Sequence, residues 1–471
     1  MNSRPTISGK ELFHVLPHPR IVAIDNKEEH LERIQYGLFQ AGLQCISILY
    51  DEMEGLKLPS NWNPNSLRII FLDLNLTPIE NVGTGNVGGV VSHIAEVLEG
   101  LKIPGPYLIV FWTSYPDQVK EVMEKIAERS QGIQLPVDFV TIDKRPFLMS
   151  NQGKQNTARL KNAIAVELSK NKIFLAMLAW ESEVEGAALR TFDRLHSLVE
   201  HRQTRGCSLA SNDLTDLLRN LAKCAWGEEH AMRNPCNAVT SGLSPLLLDS
   251  LDEISTGKYY VKIWKSAIEG NSGDWSRKLP NHVPAARLNS HCMVDLNSTD
   301  HFSRGAWLKF KESATTMSRL WTTCFGQSYN DLLAEFINLG KCKSGENPDE
   351  IRAKVSLGLL ECTAACDYAN SKAPLRRYIL CALVPEDLKR FIKWDGRDMK
   401  HDAIMKLEKL SHDSTVYLPY LNFKFALQIP PKHPILRKNK VEMLFRVRSQ
   451  VLAKISNQYA FHTTRLGIYS F

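Results

Sequence analysis

Leu67-Arg68-Ile69-Ile70-Phe71-Leu72-Asp73 is a short apolar run that ends on a carboxylate. Three other runs in the first 150 residues share this design. Ile21-Val22-Ala23-Ile24 stops at Asp25-Asn26, Tyr107 to Trp112 stops at Thr113-Ser114, and Asp138 to Ile142 stops at Asp143-Lys144-Arg145-Pro146-Phe147. Cys45 to Leu49 is a further strand-like run. Helical patterns lie between them. Leu31, Ile34, Leu38 and Phe39 share a face over 28–39, Val90, Val91, Ile94, Val97 and Leu98 over 87–101, and Val119, Val122, Met123 and Ile126 over 117–129. Gly42 reads as the stop of the first helix, and 51–66, rich in Pro and Asn, as turns. Alternating strands and helices predict an α/β doubly wound sheet of five parallel strands. Polar groups at the carboxyl ends of neighbouring strands then converge in one crevice.

Two carboxylates, a hydroxyl and a lysine meeting in that crevice can hold a divalent cation and a phosphoryl group. The ordered set Asp25, Asp73, Thr113 and Lys144, spread over about residues 18–150, resembles a response-regulator receiver domain. The resemblance implies a flavodoxin-like strand order and a phosphoacceptor at Asp73. It implies Mg²⁺ held by Asp25, Asp73 and the backbone carbonyl of Asn75. The hydroxyl of Thr113, or of Ser114, and the ammonium of Lys144 would contact the phosphoryl oxygens. The chain departs from the family pattern in two places. Asn26 stands where a second acid is usual, which would weaken or abolish Mg²⁺ binding. Lys144-Arg145-Pro146 replaces a Lys-Pro pair, which leaves open which cation faces the site. An active phosphoacceptor and a degenerate docking module both remain open. Gly83-Thr84-Gly85-Asn86-Val87-Gly88 is a literal GxGxxG, but it lies beyond the third strand rather than the first, so it reads as an active-site loop and not a dinucleotide fingerprint.

The chain has 471 residues, enough for two or three domains, with 44% hydrophobic and 23% charged residues. No apolar run approaches the roughly 20 residues of a membrane span, and Met1-Asn2-Ser3-Arg4-Pro5 lacks a signal-peptide core, so no membrane partner is expected. Ten dispersed cysteines do not form a disulfide framework, and a cytoplasmic location is the expectation. From about 154 to 202 apolar residues recur at helical spacing, which reads as one long helix or two stacked ones, either an inter-domain connector or a homodimer surface. Helical patterns continue over 212–225, 244–255 and 315–340. Beyond 340 come strand-like runs at 354–360, 377–384, 415–418 and 423–429, then a helical pattern over 441–466. The expected domains are a receiver-like 1–150, a helical connector 151–205, a mainly helical 206–340 and a basic, mixed α+β 341–471.

Net charge is +7, divided unevenly: residues 371–471 carry +11 and the rest −4. Arg437, Lys438, Lys440, Arg446 and Arg448, with Phe445, Tyr459 and Phe461 between and after them, could bind nucleic acid by charge and stacking, or form a solvated face over a core helix. Cys362-Thr363-Ala364-Ala365-Cys366-Asp367, with Cys342 and Cys381, could supply sulfurs to a metal or an enzyme centred on Cys366 and Asp367, but no spacing matches a paired CxxC and nothing places His401 or His412 nearby as a base. Buried cysteines are the simpler reading. The whole resembles receivers of bacterial conflict or antiviral defence systems. That resemblance implies a signalling or adaptor protein with a histidine-kinase-like or GHKL-type ATPase partner. A nucleic-acid-binding effector is the alternative.

Overall fold

The structure is a computed structural model that describes residues 18–59, 62–76, 87–129, 132–148, 153–199, 211–269, 279, 284–311, 318–364, 367–368, 374–393 and 403–464. Residues 83–86 of the glycine loop, Cys366, His401 and the N-terminal residues lie outside these. The chain divides into two compact units, Met1–Arg190 with Leu248–Asp274, and Thr191–Leu247 with Trp275–Phe471.

In the first unit β1 (Ile21–Asp25), β2 (Cys45–Asp51), β3 (Gly55–Leu56), β4 (Ile69–Leu72), β5 (Leu108–Thr113) and β6 (Asp138–Asp143) form one sheet in the order β3-β2-β1-β4-β5-β6. β2, β1, β4, β5 and β6 pair in parallel. The sheet is six-stranded and mixed, where five parallel strands were expected. The extra strand comes from the turn-rich stretch. Asp51 Oδ1 accepts the Met53 and Glu54 amides, Gly55 takes φ +69°, and Gly55-Leu56 returns antiparallel on β2. A positive φ is one that glycine adopts without strain.

Strand alternation splits the core into two layers. Val22, Ile24, Ile70, Leu72, Ile109 and Phe111 face α2 (Val87–Leu101) and α3 (Val119–Arg129). Ala23, Phe71, Val110 and Trp112 face α1 (Glu28–Gln40) and Leu160 and Ile164 of α4 (Gly153–Lys170). Both faces are covered, so the central strands are buried throughout. α5 (Lys172–Val199) follows α4 after Asn171, whose side chain accepts the Phe174 amide. No helix of the described residues is long and apolar enough to cross a membrane.

In the second unit, helical segments within 211–247 precede an eight-stranded sheet. Its strands are β7 (Val294–Asp295), β8 (Ala306–Phe310), β9 (Ser356–Glu361), β10 (Arg376–Pro385), β11 (Ile404–Lys406), β12 (Leu410–His412), β13 (Thr415–Ile429) and β14 (Val441–Val447). β7 and β8 come from the region read as mainly helical. The runs 415–418 and 423–429 are one strand. The pairing of β10 with β13 jumps from Leu380–Asn422 to Ile379–Ala426, and this bulge carries β13 through its polar middle. The start of the 441–466 helical pattern is instead β14, antiparallel to β8, and the helix Ser449–Thr463 begins only after Arg448. Leu359, Leu380 and Trp321 pack in one layer, and Trp307, Cys381, Phe445 and Leu452 in the other.

Candidate functional site

Parallel register brings four of the predicted side chains to one edge of the first sheet. Asp25 ends β1. Asp73 follows β4, its amide donating to the Ile24 carbonyl at 3.0 Å. Thr113 ends β5 opposite Asp143, and Lys144 follows β6, its amide donating to the Thr113 carbonyl at 3.0 Å. All four are buried, with Asp73 only 3% and Lys144 only 5% exposed. Lys144 Nζ donates to Asp73 Oδ2 at 2.6 Å and lies 3.5 Å from Asp25 Oδ2. Arg145 turns to Asp143 instead, its guanidinium donating at 2.6–3.1 Å. Lys144 is therefore the cation of this cluster. The Thr113 hydroxyl accepts the Tyr115 amide at 3.1 Å, and Asn26 is half-buried.

A fifth member escaped the sequence reading. α1 starts three residues after Asp25, so its first turn folds back over the strand end and Lys27 donates its amide to Asp25 Oδ1 at 2.9 Å. That turn buries His30, whose Nδ1 stands 3.2 and 3.1 Å from the two Asp25 oxygens and 3.3 Å from Lys144 Nζ. The signal was present in the sequence. His30 lies on the stripe of Leu31, Ile34 and Leu38, so a titratable ring occupies the buried face of a helix directly after a strand-end acid.

Burial, then the neighbouring Asp25 carboxylate, pushes Asp73 up to about 6, against the pull of Lys144. A carboxyl whose folded value is raised contributes stability that is full below its unfolded value and is lost as pH rises towards about 6. Asp73→Asn removes that loss and leaves Lys144 beside Asp25. The variant should be more stable than wild type by roughly 2–3 kcal/mol at pH 8. The gain should shrink towards zero near pH 4. Denaturant titrations at both pH values measure it, and a gain that does not depend on pH would contradict the assignment.

Asp25, His30 and Asp73 each offer one ligand atom, all within 4.8 Å of one another, the one such group among the described residues. Asp73 Oδ1 and Asn75 Oδ1 are buried without a hydrogen-bond partner. The carboxylate oxygens fit Mg²⁺, and the orphaned Asp73 Oδ1 is a vacant acceptor of the right kind, but the imidazole nitrogen is a poor Mg²⁺ donor.

The other candidates are dispersed. Arg446 pairs with Asp295 at 2.9 Å and Arg448 Nε donates to the His291 carbonyl, whereas Arg437 and Lys438 are exposed. Phe445 is buried against Trp307, and Tyr459 packs edge-on against Phe423 under Arg377. Cys362 and Cys381 share one core layer and Cys342 packs against the other, so those sulfurs do not converge. Burial pushes the Cys362 thiol up to about 12, the opposite of a nucleophile's need. Asp367 is exposed.

Compared with protein-family models, curated proteins and solved structures, the chain finds no match.

Proposed function

We propose that the first unit is a receiver-type signalling head, with Asp73 as phosphoacceptor and the second unit as output. The observation that carries this reading is a divided carboxylate: Asp73 Oδ2 holds Lys144 at 2.6 Å while Oδ1 is buried with no hydrogen-bond partner. The strand order β2-β1-β4-β5-β6 supports this reading, since a reversal of order between β1 and β4 favours a ligand crevice beside those two strands. Asp25 and Asp73 end or follow those two strands.

In this reading an Asp73 carboxylate oxygen attacks the phosphorus of a phosphodonor. The new O–P bond forms as the bond from phosphorus to the leaving group breaks, and the leaving group departs with that electron pair. Lys144 follows the charge from the carboxylate to the phosphoryl oxygens, and the Thr113 hydroxyl, whose oxygen accepts the Tyr115 amide, donates its own proton to one of them. A divalent cation at Asp25 and Asp73 would neutralise the charge that gathers there. The physiological donor would be a histidine-kinase-like or GHKL-type partner.

The test is intact mass after incubation with a small phosphodonor, with Mg²⁺ and with Co²⁺ in separate samples. A gain of one phosphoryl group in wild type and none in Asp73→Asn is expected. Wild type unchanged with either metal, or an equal gain in Asp73→Asn, would reject Asp73 as acceptor and leave a docking module.

A further inference from the structure

We propose that Asp25, His30 and Asp73 form a site for a divalent cation of the Zn²⁺ class, taken up in exchange for the Lys144 ammonium. This rests on the same strand-end cluster as the phosphoacceptor reading and deepens it by naming the cation and its competitor.

The first support is that a cation already stands among these groups. Lys144 Nζ is 2.6 Å from Asp73 Oδ2, 3.5 Å from Asp25 Oδ2 and 3.3 Å from His30 Nδ1. Two of those contacts suit an ammonium. The third does not: His30 Nδ1 also faces both Asp25 oxygens, at 3.2 and 3.1 Å. If Nδ1 carries the proton it donates to Asp25 and meets Lys144 as donor against donor. If it carries the lone pair it accepts from Lys144 and repels Asp25. One atom cannot serve both neighbours. A metal ion removes the conflict, because Nδ1 and the carboxylates all present lone pairs to it and the ring proton moves to Nε2.

The second support is independent of those contacts. Asp73 is 3% exposed, and its Oδ1 has no hydrogen-bond partner. A buried carboxylate oxygen left unpaired is costly, so natural sites rarely leave one without an intended partner. Charge points the same way, since two carboxylates face one ammonium where little water reaches.

Donor type selects the ion. Magnesium demands oxygen and keeps its waters, whereas imidazole beside carboxylate suits Zn²⁺ and its first-row neighbours. A metal bound to Nδ1 cannot coexist with an ammonium 3.3 Å from that atom, so Lys144 withdraws as the metal enters.

The probe is Co²⁺, whose visible absorption reports bound geometry, titrated into the chelator-treated full chain without phosphodonor. Wild type should bind one Co²⁺ with enhanced absorption that a hundredfold excess of Mg²⁺ does not remove. His30→Gln, which keeps the polarity of the position and every cysteine, should lose at least about tenfold in Co²⁺ affinity. Lys144→Met should gain at least about tenfold, because it removes the competing charge. Circular dichroism of each variant checks that it is folded. Mg²⁺ displacing Co²⁺ at comparable concentration, folded His30→Gln binding like wild type, or no Co²⁺ bound by wild type and Lys144→Met alike, would each overturn the proposal. Because no phosphodonor is present, Co²⁺ binding with no phosphoryl gain refutes only the phosphoacceptor reading. A phosphoryl gain without Co²⁺ binding refutes only this one.

Discussion

Lys144→Met is expected to cost the first unit about 3–5 kcal/mol in metal-free buffer at pH 8. Methionine matches the length of the lysine stem and fits the buried surroundings, so little of the loss is packing. What is lost is the ammonium between Asp73 and Asp25, at 2.6 and 3.5 Å, which leaves two carboxylates buried without their cation. Lys144 is also what pulls Asp73 down against burial and the Asp25 charge. Without it Asp73 rises further, so the variant keeps its acid-side stability and gives it up over a higher and wider span of pH. The deficit should therefore be largest at pH 8 and smaller at pH 5, where Asp73 takes up a proton. Arg145→Met is the matched control. Its guanidinium pairs with Asp143 at a half-exposed surface, and such pairs contribute at most about 1 kcal/mol. Hydrogen exchange at the β1 and β4 amides isolates this unit from the second. Equal losses in the two variants, or a Lys144→Met deficit that does not change with pH, would show that Lys144 is not holding the two acids together.

Much of this site could be read from the chain because four of its members end a strand or follow it directly. Asp25, Asp73, Thr113 and Lys144 each close an apolar run, and parallel pairing carries such ends to one edge. His30 could not be read that way, since it enters from a helix turn and its role depends on how α1 folds back over β1. The choice between Lys144 and Arg145 was also closed to the sequence. It turned on Asp143, which lies two residues from Arg145 and captures it.

The second unit was less legible for a related reason. Val441, Leu444 and Phe445 have the spacing of a helix face, and only the partner strand β8, which supplies Leu308 opposite Met443 and Trp307 opposite Phe445, makes that segment a strand. Pro419 and Asn422 likewise looked like a break between two strands. Pro419 instead stays in the ladder by using its carbonyl, which accepts the Leu407 amide at 3.0 Å. Asn422 is buried and its side-chain Oδ1 accepts the Lys424 amide within the bulge.

Gly358 shows how tightly that long-range pairing is built, and Gly358→Ala should destabilise the second unit by about 3 kcal/mol. Gly358 sits in β9 between Lys309 of β8 and Cys381 of β10. A Cβ there would lie 2.2 Å from the Leu308 carbonyl oxygen and 3.0 Å from its carbon. These are backbone atoms, so no rotamer change relieves the clash. β8 cannot retreat as a whole, because its other edge is paired with β14 and its Trp307 and Leu308 are buried in opposite core layers. The strands must part locally, and ladder hydrogen bonds between β8 and β9 are lost with them. Gly88→Ala gives the contrast: its added Cβ meets nothing within 4 Å at the start of α2, where alanine favours the helix by up to about 1 kcal/mol. Denaturant unfolding with hydrogen exchange at the β8 and β9 amides reads both variants. A Gly358→Ala protein within about 0.5 kcal/mol of wild type would mean that the β8–β9 contact is looser than this geometry requires.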